Sequence, residues 1–505
     1  MPQYLSPGVY VEEVEAGSRP IEGVGTSVAA FVGLAQRGPF NQPTQVTNWS
    51  QFVQTFGDFM EGSYLAHSVY GYFLNGGGTC FVVRIGANGA SPAAHAELPL
   101  GRDKALPYRV TALEAGPGGN DITVEVADAS EPGDDVFKLI VKKGGKEAEV
   151  YDNVTTKRGK RNVVTAVKAS KLIQLEEITG STAMEPVSQA HAALVGGGSS
   201  APVRVTPEAY VGNSSDRTGF GGLEAVDTVT MLSVPDLMAA YQAGAIDLEA
   251  VQAVQLAMIA HCELMGDRVA ILDSPPGLNA QQIREWRVDK ARYDSKYATL
   301  YWPWIKVFDP LAGQMMLVPP SGHMAGIWAR SDDTRGVHKA PANEVIRGAV
   351  DLELLITKGE HDQLNPQGIN VLRAFPGRGI RVWGARTLSS DPAWRYINVR
   401  RLFNFIEGSI LGGTQWVVFE PNDMALWERV KRTINSFLVR VWRDGALFGA
   451  TPQEAFFVKC DGETNTAETI DAGQLLVEIG IAPVKPAEFV IFRIAQFSGG
   501  ASLTE

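Results

Sequence analysis

The chain has 505 residues, 45% hydrophobic and 20% charged, with 45 Lys and Arg against 56 Asp and Glu for a formal net charge of −11. This is the composition of a folded globular protein of roughly three domains. The acidic balance speaks against nucleic-acid binding, which needs concentrated positive charge. No run approaches the ~18 apolar residues of a membrane span, so direct membrane insertion is not expected. The opening MPQYLSPGVYVEEVEAG carries early acids and no apolar leader core. Cys80, Cys262 and Cys460 lie far apart, which gives no disulfide framework and suits a reducing cytoplasm. The 53 glycines and 28 prolines point to many turns, or to segments that need a partner.

In chain order, a turn at Pro7-Gly8 leads into an extended piece in which Val9, Val11 and Glu13 alternate with Tyr10, Glu12 and Val14. Residues 26–34 read as a buried strand, 50–56 and 64–74 as helices, the second stopped by three glycines, and 79–86 as a β-branched strand. Near Gly86 the composition turns small and polar (GANGASPAAHAELPLG), as it does again in LVGGGSSAPVRV at 194–205. Between these linkers, DITVEVAD, DVFKLIVKKGGKEAEVYDNV and RNVVTAVK read as short strands, with a hairpin at Lys-Lys-Gly-Gly-Lys. Residues 101–200 hold 13 basic and 14 acidic side chains, so this is a nearly neutral β-rich insertion about the size of one small domain.

After 205, strands and helices alternate. DTVTMLSVPD, DRVAILDSP and ATLYWPWIKVFDP are expected as strands; IDLEAVQAVQLAMIAHCELM and NAQQIREWRVDKARYD are expected as helices. That pattern favours a mostly parallel sheet covered by helices, with 269–272 buried on both faces. Later, INVLRAFP, IRVWGARTL and WVVFEP read as strands, and 394–410 and 423–443 as helices. Two terminal strands broken at Pro483 and Pro486 close the pattern. The expected fold class is α/β (α+β): a core discontinuous in sequence, an inserted β-rich domain, and extended strand arms at both ends.

Catalytic signatures are sparse. No GxxxxGK[ST], GxSxG or HExxH pattern occurs, and no GxGxxG joins a strand to a helix. His261-Cys262-Glu263 is the densest set of metal-ligand types, but adjacent helical residues point apart, so no metal and no cofactor is expected. His361-Asp362 could be an acid–base pair, against which stands an exposed turn in KGEHDQLNPQG. Asp273 ends a strand where α/β sheets often hold ligands, though capping a helix accounts for it equally well. A soluble hydrolase-like enzyme with a site near Asp273 or His361 is therefore the competing function.

Two features suit assembly better than catalysis. Phe489, Val490, Ile491, Phe492 and Ile494 make an apolar strand near the C-terminus, and Val9, Tyr10, Val11, Glu12 and Glu13 one near the N-terminus. Unpaired apolar edges are a hazard unless another strand completes them: the terminal strands could pair within one sheet of the chain, or be completed by strand addition between chains through main-chain hydrogen bonds. In ALWERVKRTINSFLVRVWRDG, Val430, Ile434, Phe437 and Val441 form a core stripe, while Arg429, Arg432, Arg440 and Arg443 fall within about 80° of one another on the other side. Residues 446–505 carry three basic and eight acidic residues. A solvated charged face accounts for the stripe equally well, but a basic stripe beside an acidic tail suits charge-complementary contact with another subunit.

Three blocks resemble the contractile tail sheath family: PSGHMAGIWARSDDTRGVHKAPANEVIRGAV (320–350), LNPQGINVLRAFPGRGIRVWGARTLSSDPAWRYINVRRL (364–402), and the opening YLSPGVYVEEVEAGSRPIEGVGTSVAAFVGLAQRGP. The resemblance implies a structural subunit, not an enzyme, that polymerises as stacked six-fold rings around an inner tube. Contraction, driven by stored packing energy, would push the tube through a target envelope. Its partners would be further copies of itself, the inner tube protein, the baseplate and terminator or cap proteins, with no nucleic acid. It would be assembled in the bacterial cytoplasm as part of a phage tail or of an injection particle. The domains expected on this scheme are an N-terminal arm (1–22), the first part of the core (23–90), the inserted outer domain (91–203), the main core (204–485), and a C-terminal strand and arm (486–505). Strand exchange would use 9–13 and 489–494. The arginine stripe would face the inner tube or a neighbouring subunit.

Overall fold

The computed structural model describes residues 20–86, 93–100, 106–115, 117–131, 133, 135–178, 191–195 and 205–493. The N-terminal strand at 9–13 and Ile494 lie outside the described residues. The chain folds as two compact units. One comprises Met1–Thr26, Ser331–Pro341 and Asp391–Glu505, and the other Ser27–Arg330 and Ala342–Ser390.

The larger unit begins with β1 (Ala29–Gly33), β2 (Thr44–Val46), helices α1 (Trp49–Phe56) and α2 (Leu65–Leu74), and β3 (Cys80–Arg84). Asn48 starts α1 by accepting from the Gln51 amide. A β-rich segment follows: β4 (Ala93–Leu100), β5 (Leu106–Ala115), β6 (Ile122–Asp128), β7 (Val136–Lys143), β8 (Lys146–Thr155), α3 (Val163–Val167), β9 (Ile173–Glu177) and β10 (His191–Ala193). It forms two antiparallel sheets, β10-β6-β7-β8 and β4-β5-β9, around a core of its own that includes Val110, Val124, Leu139 and Leu175. The β7–β8 hairpin turns on Gly144 and Gly145, whose φ values of 58° and 78° are the left-handed pair such a two-residue turn requires. RNVVTAVK, expected as a strand, is the helix α3: Asn162 accepts from the Thr165 amide, and that cap outweighs the β-propensity of its valines.

The second part contains α4 (Pro207–Val211), β11 (Met231–Ser233), α5 (Asp236–Gln242), α6 (Leu248–Met265), β12 (Val269–Asp273), α7 (Ala280–Glu285), β13 (Ala298–Trp302), β14 (Ile305–Asp309), β15 (Gln314–Val318), α8 (Ser321–Arg335), β16 (Asp351–Leu352), α9 (Lys358–Leu364), β17 (Ile369–Phe375) and β18 (Gly379–Val382). Eight strands make one sheet in the order β18-β17-β13-β12-β11-β1-β3-β2. Its inner pairs are parallel, as the strand–helix alternation predicts, and β2 and β18 close it as antiparallel edge strands. All five residues of the central β12 are buried, the signature of a strand covered on both faces.

The stretch expected as one strand at 298–310 is two. Pro303, which has no amide to donate to a ladder, separates β13 in the large sheet from β14, which pairs with β15 and β16. The helix expected over 279–294 is the short α7 continued by a π-helical turn, Trp286–Ala291, and ended by Arg292 at φ 49°.

The smaller unit holds α10 (Ile397–Gly413), α11 (Met424–Arg443), α12 (Pro452–Ala455), β19 (Phe456–Lys459), α13 (Ala467–Asp471) and β20 (Glu478–Ile481). Asp423 caps α11 by accepting from the Leu426 amide. Val430, Ile434, Phe437 and Val441 enter the core together with Leu402, Ile406 and Leu438, as the 3.6-residue period predicts. WVVFEP is not a strand: Gln415–Val417 is a 3-10 turn, and Phe419 takes φ 69°, which breaks extended pairing.

Candidate interaction surfaces

Residues 489–492 have no strand partner among the described residues. Phe489, Val490, Ile491 and Phe492 are 70%, 70%, 79% and 84% exposed. Four successive large apolar side chains in water lose the ~1.5–3 kcal/mol each that full burial would contribute. In the same unit, β19 and β20 form a sheet of two strands. Beyond β20, Phe448 N donates to the Ala482 carbonyl at 2.8 Å and Val484 N to that of Ala446 at 3.2 Å, which covers the continuation of β20. Along β19, Phe457 is 59% exposed. Phe456, Val458, Ile479 and Ile481 of the two strands pack into the same core as α11, which supports a sheet of only two strands.

The four arginines of α11 divide. Arg429 lies 2.9 Å from Glu420 and 5.3 Å from the Trp416 ring centre. Arg440 donates to the Ile21 carbonyl and lies over the Phe437 ring. Arg432 and Arg443 are exposed and make no ion pair among the described residues. They are eleven residues apart, about three helical turns and ~16 Å. The stripe read from periodicity is thus half engaged inside the chain.

The residues weighed for catalysis have structural work. Asp273 is buried at the end of β12, where Ser321 donates to it through its amide at 3.0 Å and its hydroxyl at 2.5 Å. It therefore caps α8, a helix 48 residues along the chain. Burial pushes its carboxyl up to about 7, with both Ser321 bonds opposing the shift. Asp236, next to the end of β11, does the same for α2: it accepts from the amides of Leu34, Tyr64 and Leu65 and from the Ser63 hydroxyl. Burial pushes it up to about 6. The expected exposed turn around His361 is instead α9, started by a reciprocal cap between Thr357 and Glu360, and His361 is buried in it. A surface concavity lined by Ala280, Gln281, Arg284, Glu285, Glu360 and Gln363 includes neither Asp273 nor His361. No three metal-ligand side chains converge among the described residues. In the trio at 261–263, burial lowers His261 to about 4 and raises the Cys262 thiol. Among the described residues no helix is long and apolar enough to cross a membrane.

Sequence patterning does not single out Asp236, nor the arginines of the β17–β18 hairpin. The latter do leave a sign, three arginines within nine residues around Phe375 and Trp383.

Residues 218–388 match the phage tail sheath protein central domain, and residues 389–497 match the phage tail sheath C-terminal domain. The tail sheath protein of Burkholderia phage BcepMu is 26% identical over 96% of this chain and 95% of its own length. Among solved structures, the anti-feeding prophage helical sheath in its contracted state is 25% identical, with a TM-score of 0.60 over 97% of this chain and 99% of that one. A chain of the anti-feeding prophage baseplate, 6-fold symmetrised, is also 25% identical, with a TM-score of 0.58 over 98% and 100%. The chain belongs to the contractile tail sheath family.

Proposed function

We propose that this chain is the repeating subunit of a contractile sheath. Copies stack as six-fold rings around an inner tube and contract from a metastable packing to drive that tube through a target envelope. The sheath and baseplate assemblies among its structural relatives support this reading. So does the use of the sheet's carboxyl ends. In α/β enzymes that edge holds ligands; here Asp236 and Asp273 fill it with the chain's own helix N-termini. The work is then mechanical, a cooperative switch between two packings of the subunits. Further partners on this reading are the tube protein, the baseplate and a terminator or cap, with assembly in the bacterial cytoplasm. The domain scheme is an arm at 1–22, a core at 23–90 and 204–485, an outward-facing insertion at 91–203, and a second arm from 486.

The observation that carries the reading is the exposed 489–492 segment in the unit that contains the two-stranded β19–β20 sheet. Strand exchange through 9–13 and 489–494 would complete that sheet with chains from neighbours. The test is a truncation lacking residues 1–20. It is expected to stay soluble and folded yet form no striated tubes in negative stain, where the full chain does. Tubes from the truncated chain would sink the role of the N-terminal arm. A full chain that forms none would sink the sheath reading.

A further inference from the structure

The β17–β18 hairpin carries arginines that no carboxylate pairs with among the described residues. Gly377 and Gly379, at φ 70° and 75°, make the tight turn that puts Arg378 at its tip. The guanidiniums of Arg373 and Arg378 lie 5.3 Å and 5.8 Å from the Phe375 ring centre, and that ring packs 4.6 Å from Trp383. Arg381 donates to the carbonyls of Asn343 at 2.7 Å and Arg378 at 3.0 Å. Arg378 donates to Oδ1 of Asn343 at 3.2 Å. All these partners are neutral. Among the described residues none of the three arginines has an ion pair, and Glu344, next to Asn343, lies 3.7 Å from Arg330. Stacking and carbonyl bonds fix these guanidiniums without neutralising them. The result is a pre-oriented set of planar forks of the kind that receive carboxylates, at little further ordering cost.

The opposite pattern lies around β19 and β20. Lys459 stands across from Glu478, lies 2.5 Å from Glu463, and also feels Asp461. One lysine thus meets three acids. Glu468 and Asp471 follow on α13, exposed and three residues apart, so they share a helix face. Glu468, Asp471 and Glu478 make no ion pair among the described residues. Two unlike surfaces of opposite sign on one chain suit a heterologous contact, in which different patches of identical copies meet and the assembly can propagate. Complementary charge of this kind fixes register.

We propose that Arg373, Arg378 and Arg381 of one copy receive the carboxylates of Glu468, Asp471 and Glu478 of a second copy of this chain. The proposal rests on the self-assembly reading above and specifies which charges align the copies. The test uses the full chain and measures the concentration at which tubes appear, by sedimentation and negative stain at low and high salt. Reversal at the hairpin (R373E/R378E) should raise that concentration about tenfold or more, and reversal of the acids (E468R/D471R/E478R) should do the same. One chain carrying both reversals should recover most of the loss. R378E alone gives up one exposed hydrogen bond to Asn343 and a contact with the Phe375 ring and should move the melting temperature only slightly, so it carries the test if the double variant fails to fold. Wild-type tubes with unaffected R378E assembly would overturn the proposal and spare the sheath reading. Loss from the arginine reversal but not from the acid reversal would place a different partner on the hairpin and overturn it as well. A wild-type chain that never self-associates would remove both.

Discussion

The eight-stranded sheet and the β19–β20 sheet treat their edges in opposite ways. In the large sheet both edges are antiparallel strands, and the outer side of β18 is sealed again: Asn343 N donates to the Val382 carbonyl, Val382 N to that of Glu344, and Ile346 N to that of Ile380. In the small sheet two strands stand with Phe457 in the open, and the apolar 489–492 segment of the same unit has no strand partner among the described residues. The first region has its β18 edge closed by its own chain. The second keeps large apolar side chains exposed, and on the proposed function another chain would cover them. Mutations of similar size should therefore read out differently in the two regions, in folding for one and in assembly for the other.

The largest expected effect is at Trp328, which is fully buried and donates through Nε1 to the Tyr301 hydroxyl at 2.9 Å. Trp328→Ala opens a cavity and should cost ~3–5 kcal/mol in urea unfolding. Phe492→Ala removes an aromatic ring too, yet should leave unfolding within about 0.5 kcal/mol while impairing tube formation. Equal destabilisation by the two would abolish the contrast.

A comparable loss is expected inside the smaller unit from its buried ion pair. Asp332 accepts from Arg401 Nη1 at 2.9 Å and Nη2 at 2.5 Å, and from the Thr26 hydroxyl at 2.7 Å, with both charged side chains almost fully covered. Arg401→Met strands a buried carboxylate and should cost ~3–5 kcal/mol. The double variant Arg401→Met with Asp332→Leu should recover part of that. A double variant no better than the single would assign the loss to packing instead.

A smaller effect should follow pH in the larger unit. The raised carboxyls of Asp273 and Asp236, at about 7 and about 6, hold their protons longer folded than unfolded. Their contribution to stability is complete below about pH 4 and is lost as pH rises through those values. His261 and His323, lowered to about 4 chiefly by burial, act in the other sense: their contribution is present above about pH 6.5 and is lost as pH falls toward 4. Asp273→Asn should flatten the fall in melting temperature between pH 5 and 8. An unchanged slope would show that Asp273 does not drive it.

What the sequence discloses follows the same division. Buried parallel strands announce themselves as continuous apolar runs such as VAIL in β12, and α11 shows its core face by period. The errors arise where a local signal is overruled. Asn162 caps a valine-rich segment into α3, Pro303 parts two strands, and Thr357 with Glu360 starts a helix around His361. The site is less legible because a side chain's charge does not say where it is used. Arg440 reaches the Ile21 carbonyl, 419 residues away in sequence, and no periodicity foretells that. Residues 489–492 are harder still: the apolar run reads as a strand, yet it has no strand partner among the described residues.

The smallest effect on the subunit, and the sharpest on the role of α11, is at Arg432 and Arg443. Reversing Arg429 or Arg440 would also break contacts to Glu420, Trp416 or Ile21, so any loss would mix folding with docking. Arg432 and Arg443 are exposed, and changing both to Glu should move the melting temperature little, as exposed charges away from special features do. If this face meets an acidic tube, the double reversal should slow assembly templated on the tube and spare tube-free polymerisation. It should also remove most of the salt dependence, since exposed charges are screened within ~10 Å at 0.1 M salt. If the face meets a neighbouring subunit, both assembly routes should weaken together. A plain solvated face would leave both unchanged.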